Sequence, residues 1–262
     1  MHAMANMALR AARRAGDILL QSMDRLDELK IEEKAPNDFV SNVDRESEAA
    51  IIEVLHKAYP AHAILGEEQG LSVTSESDEY TWLIDPLDGT LNYLRGIPHF
   101  CISIALKKGR HIEHGVIIDP VRNEEWVASR GGGAHLNGKR IRVSKTQRLS
   151  GAILSTGLPP GAKDRLDPHM DIVKQMTSAC LAVRRQGSAA LDLAYTAAGR
   201  IDGYWEMGLQ TWDIAAGSLL VKEAGGFVSD LQGGDGYLDS GDVVAGNPKC
   251  FKAMVAGIRP HV

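Results

Sequence analysis

Apolar and small side chains recur at Met4, Met7, Ala8, Ala11, Ala12, Ala15, Ile18 and Leu19, a spacing that predicts a helix over residues 4 to 23. Polar residues follow to Asn42. A second helix is predicted from Asp44 to Tyr59, where Ala49, Ile52 and Leu55 recur at helical intervals and Pro60 stops it. Ala63-Ile64-Leu65 reads as a short strand running into Gly66-Glu67-Glu68. An acidic, polar loop, Ser72 to Glu79, leads to the apolar run Trp82-Leu83-Ile84. From Phe100 to about Val143 the period drops to two: Ile102, Ile104 and Leu106 alternate, as do Val116 and Ile118. Turn signals at Lys108-Gly109, Arg122-Asn123, Gly131-Gly132-Gly133 and Asn137-Gly138 cut this stretch into an antiparallel meander. Strands and helices then alternate: strand near Ile153, helix Pro168 to Ala179, strand Leu181 to Arg185, helix Ser188 to Ala198, strand Gly203 to Glu206. Helix Trp212 to Glu223 follows, closed by Gly225-Gly226, then strands from Phe227 and at Val243-Val244 and a last helix from Pro248. Helices flanking sheets on more than one side predict a layered α/β (α+β) architecture.

At 262 residues the chain is long enough for one large domain over 1–262, with approximate lobes 1–145 and 146–262. Hydrophobic residues make up 44% and charged residues 24%, the balance of a globular protein. A net charge of −5 argues against a broad nucleic-acid footprint. Cys101, Cys180 and Cys250 are scattered, with neither disulfide-framework nor zinc spacing. Arg10, Arg13 and Arg14 interrupt the opening helix, which lacks the apolar core of a signal peptide, and no apolar run approaches membrane-spanning length. The expectation is a soluble protein of a reducing, cytoplasmic compartment.

Chemistry concentrates in Trp82 to Thr90, W-L-I-D-P-L-D-G-T. A buried strand ends in two aspartates, Asp85 and Asp88, braced by Pro86 and followed by Gly89 and Thr90. Two carboxylates on one stiff loop repel unless cations lie between them, and an all-oxygen donor set selects hard ions such as magnesium. Glu67 ends the preceding strand, and Asp213 opens a helix in T-W-D-I-A-A-G. Taken singly, Asp213 suits a helix start and Glu67-Glu68 a solvated loop. Taken together, they fit phosphoryl chemistry. Two metal ions can hold the attacking and leaving oxygens and turn an acidic cluster into an anion site.

G-E-E, then W-L-I-D-P-L-D-G-T, then W-D-I-A-A-G-S-L-L-V-K-E-A-G-G resemble the inositol monophosphatase family in all three signature blocks and in their order. The segments N-D-F-V-S-N-V-D and R-R-Q-G-S-A-A-L-D-L-A-Y-T-A-A-G-R-I-D-G-Y-W-E resemble its bacterial members closely, so the likeness spans the chain. It implies a layered αβαβα sandwich and magnesium-dependent hydrolysis of myo-inositol monophosphate, inhibited by lithium. Glu67, Asp85 and the Leu87 carbonyl match ligands of a first magnesium; Asp85, Asp88 and Asp213 match those of a second; a weaker third is associated with Glu67. Thr90 and Asp44 match the pair that orients and deprotonates the attacking water, so Glu67, Thr90 and Asp44 are the candidate catalytic residues. Asp88, Gly89, Thr90 and Asp213 would face the phosphate; Gly187, Ser188, Ala189 and Glu206 would line the inositol pocket. Where the family reads D-G-T-T-N-F this chain has Leu91 and Tyr93. Relatives of the fold cleave fructose 1,6-bisphosphate or 3′-phosphoadenosine 5′-phosphate. Bacterial relatives form homodimers and take part in ribosomal RNA antitermination with transcription factors and RNA polymerase.

Several other features read as structural. Gly133 to Arg140 resembles a phosphate-binding loop but lacks its Ser/Thr, and Asn137-Gly138 reads as a hairpin turn. His111 and His114 read as surface residues on opposite faces of a strand. Asp235, Asp239 and Asp242 read as a solvated turn, and Met207 as packing. Arg184-Arg185 reads as a solvated strand end, with a place at the subunit interface as the second reading.

Overall fold

A computed structural model of the chain describes residues 2–26, 31–35, 38–73, 79–158 and 165–262. Helix α1 (Ala3–Met23) is capped by His2, whose Nδ1 accepts from the Met4 N–H at 3.3 Å. Strands β1 (Ile31–Ala35) and β2 (Asp38–Ser41) pair as a ribbon in a segment for which the sequence reading predicts no element. Helix α2 (Asn42–Ala58) opens on a capping box of Ser41 and Asp44. Strands β3 (Ala63–Gly66) and β4 (Gly70–Val73) form a hairpin, and β4 takes up Ser72, which the sequence places in a loop. Strand β5 (Tyr80–Asp88) runs past the Trp82 segment and through both aspartates to the short helix α3 (Thr90–Leu94). The meander is β6 (Cys101–Lys108), β7 (His111–Asp119), β8 (Glu124–Ser129), β9 (Gly133–Leu136) and β10 (Lys139–Arg140), its last turn built on Asn137 and Gly138 at φ 48° and 75°. These strands form one eight-stranded sheet in the order β10-β9-β8-β7-β6-β5-β3-β4.

The rest of the chain builds a second sheet. Strand β11 (Ile153–Thr156), helix α4 (Leu166–Ala179), strand β12 (Ala182–Arg184), helix α5 (Ala189–Ala197) and strand β13 (Gly203–Glu206) alternate as the sequence predicts. Helix α6 (Thr211–Glu223), strand β14 (Phe227–Ser229), helix α7 (Tyr237–Ser240), strand β15 (Val243–Gly246) and helix α8 (Pro248–Ile258) complete it, with strand order β12-β11-β13-β15-β14. The two sheets and their helices stack in five layers, αβαβα. Helices α1 and α2 cover one face of the large sheet, α5 and α6 lie between the sheets, and α4 and α8 cover the far face of the small one. Three cores fill the gaps between layers. The outer two centre on Trp82, Tyr93 and Phe100 and on Trp205 and Met254; the middle one packs Trp126, Tyr204 and the small residues of α5 and α6. Among the described residues no helix is long and apolar enough to cross a membrane.

Three local expectations change. His114 is buried, its Nδ1 lies 2.9 Å from Ser129 Oγ, and its ring stacks on His2, because α1 packs over that end of β7. Asp239 lies in helix α7 rather than in an open turn. Asp242 is not a solvated turn residue: it forms a two-pronged ion pair with Arg165 at 2.6 and 2.7 Å and accepts from the Gly208 N–H.

Candidate active site

Parallel strands β3 and β5 end side by side, which places Glu67 next to the Asp85–Asp88 segment. The Glu67 N–H donates to the Ile84 carbonyl at 3.1 Å and fixes that neighbourhood. In a regular strand, residues three apart point to opposite faces. Here Asp85 pairs with Ser103 and Asp88 with Cys101, so β5 carries one more residue than β6 across this interval. The bulge turns Asp88 to the same side as Asp85. Pro86, which has no N–H to give the ladder, is where the extra residue is tolerated.

Both carboxylates open into a cavity of about 330 Å³, with Glu67, Thr90, Glu206 and Asp213 on its walls. Hollows of about 420 Å³ near Arg165 and of about 470 Å³ near His2 are larger, so size does not single this one out. Its walls do. Asp85, 2% exposed, has its carboxyl pushed well above the ordinary range by burial and by the charges of Glu67, Asp88 and Asp213. Burial, then Asp88 and Glu67, raises Asp213 in the same way. Burial also raises Asp88, against the hydrogen bonds it receives. Helix starts partly offset this repulsion, because the N-terminal ends of α2, α5 and α6 carry Asp44, Ser188 and Asp213. Asp213 both caps α6, accepting from the Gln210 N–H at 2.8 Å, and faces the cavity.

Every residue expected at the site from the second half of the chain reaches it. Gly187, Ser188 and Ala189 line the cavity, and Ser188 Oγ and the Ala190 N–H donate to Asp88 Oδ2 at 2.7 and 2.6 Å. Thr90 Oγ1 lies 3.0 Å from the Leu87 carbonyl and 3.2 Å from Asp44 Oδ1, and its single proton serves one of them at a time. Asp44 does not line the cavity; it is buried behind Thr90, accepts from the Ser41 N–H and hydroxyl, and burial raises its carboxyl. Gly89 sits at φ 99°, and a Cβ there would press on the His99 and Gly187 carbonyls. Glu206 accepts from Tyr204 Oη at 2.5 Å, and burial pushes it up to about 8. Exposed Leu91 sits at the cavity wall, whereas Tyr93 points away and donates to the Leu19 carbonyl at 2.8 Å.

Other contributors escape sequence reasoning. Arg185, read as a solvated strand end, is the one cation on the described walls. Asn92 Nδ2 ties the two halves of the chain by donating to the His99 and Gln186 carbonyls at 2.8 and 2.9 Å. Cys101 Sγ stands 3.8 Å from Asp88 Oδ2, and burial pushes the thiol up. Asp192, raised to about 7 by burial, accepts from Gln186 Nε2 at 2.9 Å. Gly157 has no side chain because a Cβ there would collide with the Glu206 carboxylate. Only Asn92 had a signal, its place in D-G-T-L-N-Y.

Among the described residues, no three His, Cys, Asp or Glu side chains stand as a formed ion-binding cluster. The donor chemistry nevertheless fits a hard cation. The carboxyls of Asp85 and Asp213 are raised by burial and by neighbouring carboxylates; such a cluster is stabilised by positive charge, and oxygen donors favour magnesium over softer metals.

The family model for the inositol monophosphatase family matches residues 1–262. The chain is 51% identical to the Nus factor SuhB of Pseudomonas aeruginosa, over 100% of this chain and 98% of that protein. The crystal structure of the extragenic suppressor protein suhB from Bartonella henselae superimposes with a TM-score of 0.96 at 39% identity, covering 100% of each chain. The inositol monophosphatase from Anabaena superimposes with a TM-score of 0.85 at 36% identity, covering 97% of this chain and 94% of that one.

Proposed function

The chain belongs to the inositol monophosphatase family, and from that membership we propose that it hydrolyses phosphate monoesters, myo-inositol monophosphates foremost, with magnesium as cofactor. The observation that supports this most is the shared cavity of Glu67, Asp85, Asp88 and Asp213, whose crowded charge calls for a cation. These four and the Leu87 carbonyl would hold the metal ions. Magnesium bound there would supply charge neutralisation and a nucleophile at neutral pH. Thr90 and Asp44 would manage the proton. A Thr90 hydroxyl that donates to Asp44 Oδ1 keeps its lone pairs free for a water, and a carboxyl raised by burial is a better base than an exposed one. Backbone N–H groups of Gly89 and Thr90 would take phosphate oxygens. Glu206, held at about 8, carries a proton near neutrality and offers a polyol both a donor and an acceptor.

Arg185 favours a second substrate class, since a guanidinium on the wall suits an alcohol bearing a further anionic group, such as a sugar bisphosphate. A separate role follows the relatives named Nus factor: contact with transcription factors and RNA polymerase alongside catalysis. Exposed Leu181 and Arg184, beside the free edge of β12, are the surface we assign to a homodimer. The deciding measurement is phosphate release from inositol 1-phosphate with magnesium, after chelation, and with lithium added. We expect turnover, its loss on chelation, and inhibition by lithium. Full activity after exhaustive chelation would sink the metal reading, and a strong preference for a bisphosphate would move the assignment to the second class.

A further inference from the structure

Helix α2 presents Asp44, Ser47 and Glu48 at spacings of three and four, on one helical face. Each reaches a different segment of the site. Asp44 meets Thr90. Ser47 Oγ donates at 3.0 Å to the carbonyl of Pro86, inside the β5 bulge between Asp85 and Asp88. The two oxygens of Glu48 accept from the backbone N–H groups of Glu68 at 2.9 Å and Gln69 at 2.8 Å, in the turn that Glu67 begins. Glu48 is 0% exposed, and a buried glutamate is costly unless its oxygens are satisfied. Gly66 makes room for it, since a Cβ at that position would collide with the Glu48 carboxylate.

The clamp is therefore two-sided. Glu48 grips the turn just after Glu67, while the Glu67 N–H is tied to the Ile84 carbonyl on β5. Neither Ser47 nor Glu48 lines the cavity. Resting on the reading of that cavity as a metal centre, we propose that Ser47 and Glu48 are positioning residues that set how tightly the divalent cation is held. They would do so by fixing the Pro86 peptide and the Glu67 turn from behind. An apolar residue would fill the same space but leave two backbone N–H groups of the turn without these acceptors. Ligand orientation would then vary, and ligands that must be gathered before binding hold an ion less tightly.

The test is magnesium binding by isothermal titration calorimetry on the full chain, with kcat at saturating magnesium and the thermal midpoint in chelator measured alongside. Glu48→Gln keeps the size but offers an amide nitrogen where one N–H needs an acceptor. We expect its magnesium Kd to rise by about tenfold, the low end for groups that orient metal ligands, with kcat at saturation within about twofold of wild type. Ser47→Ala removes one hydrogen bond and should weaken binding by a smaller factor; it decides the matter if Glu48→Gln does not fold. Wild-type affinity in a folded Glu48→Gln, or in Ser47→Ala if that variant alone folds, overturns the proposal. So does a kcat loss at saturation with Kd unchanged. Should the wild-type protein itself bind no magnesium, it is the metal reading of the site that fails, an outcome distinct from both.

Discussion

Asp119 and Asp85 are both buried aspartates of the large sheet, 0% and 2% exposed, and they keep opposite company. Asp119 accepts from the Arg122 N–H at 2.9 Å and from its guanidinium at 2.6 Å. Asp85 accepts from one backbone N–H, that of Leu87, and faces three other carboxylates. Asp119 thus has an arginine for a partner, as Asp242 has in Arg165. At the cavity, among the described residues, Asp85 has none. A buried charge without an opposite charge beside it is destabilising, and on the metal reading proposed above this is where stability is given up for a ligand.

Replacing each aspartate by asparagine separates the two cases. Asp85→Asn should lower kcat by about three orders of magnitude, the scale of several kcal/mol of lost charge stabilisation. In chelator the same variant should melt higher than wild type, by about 2–4 °C for each kcal/mol of repulsion relieved, because the amide oxygen can still accept from Leu87. A lower midpoint by calorimetry would show that the cavity is not strained by its own charge. Asp119→Asn should do the reverse. It should cost about 2 kcal/mol, from hydrogen bonds to a charged group, and leave magnesium affinity unchanged in titration calorimetry. A loss of metal binding there would erase the contrast.

The smallest effect concerns a buried base. His114 is pushed down to about 4, first by burial and then by the charge of His2, from an ordinary value of 6.5. Below pH 6.5 the unfolded chain takes a proton that the folded one refuses until about pH 4, so the stability His114 contributes is present above that window and lost as pH falls through it. His114→Gln should lose less thermal stability than wild type between pH 7.5 and pH 4.5. An equal loss in both proteins would mean that another group carries the acid sensitivity.

Much of this was legible in the chain. The strand Gly203 to Glu206 falls where alternation places it, and helices near Ala3, Asn42, Thr211 and Pro248 begin within two residues of expectation. The β1–β2 ribbon was not legible, because its strands are only five and four residues long and I-E-E-K-A does not alternate apolar with polar. Arg185 is exposed at the end of β12 as read, but its place on the cavity wall was not legible, because exposure of a side chain says nothing about which cavity it borders.

Local pattern determined most of the elements, the layered α/β class and the identity of the acidic residues, since periodicity, turn chemistry and donor type are written within a few residues of each other; the five-layer order was implied by the family resemblance. Tertiary structure alone decided that Asp213 and Glu206 share a cavity with Glu67, that a bulge aims Asp88 with Asp85, and that Glu48 reaches across to clamp a turn some twenty residues further on. Those facts depend on the register between strands and on the packing of layers. Both are settled by contacts between residues far apart in sequence, which no local window contains.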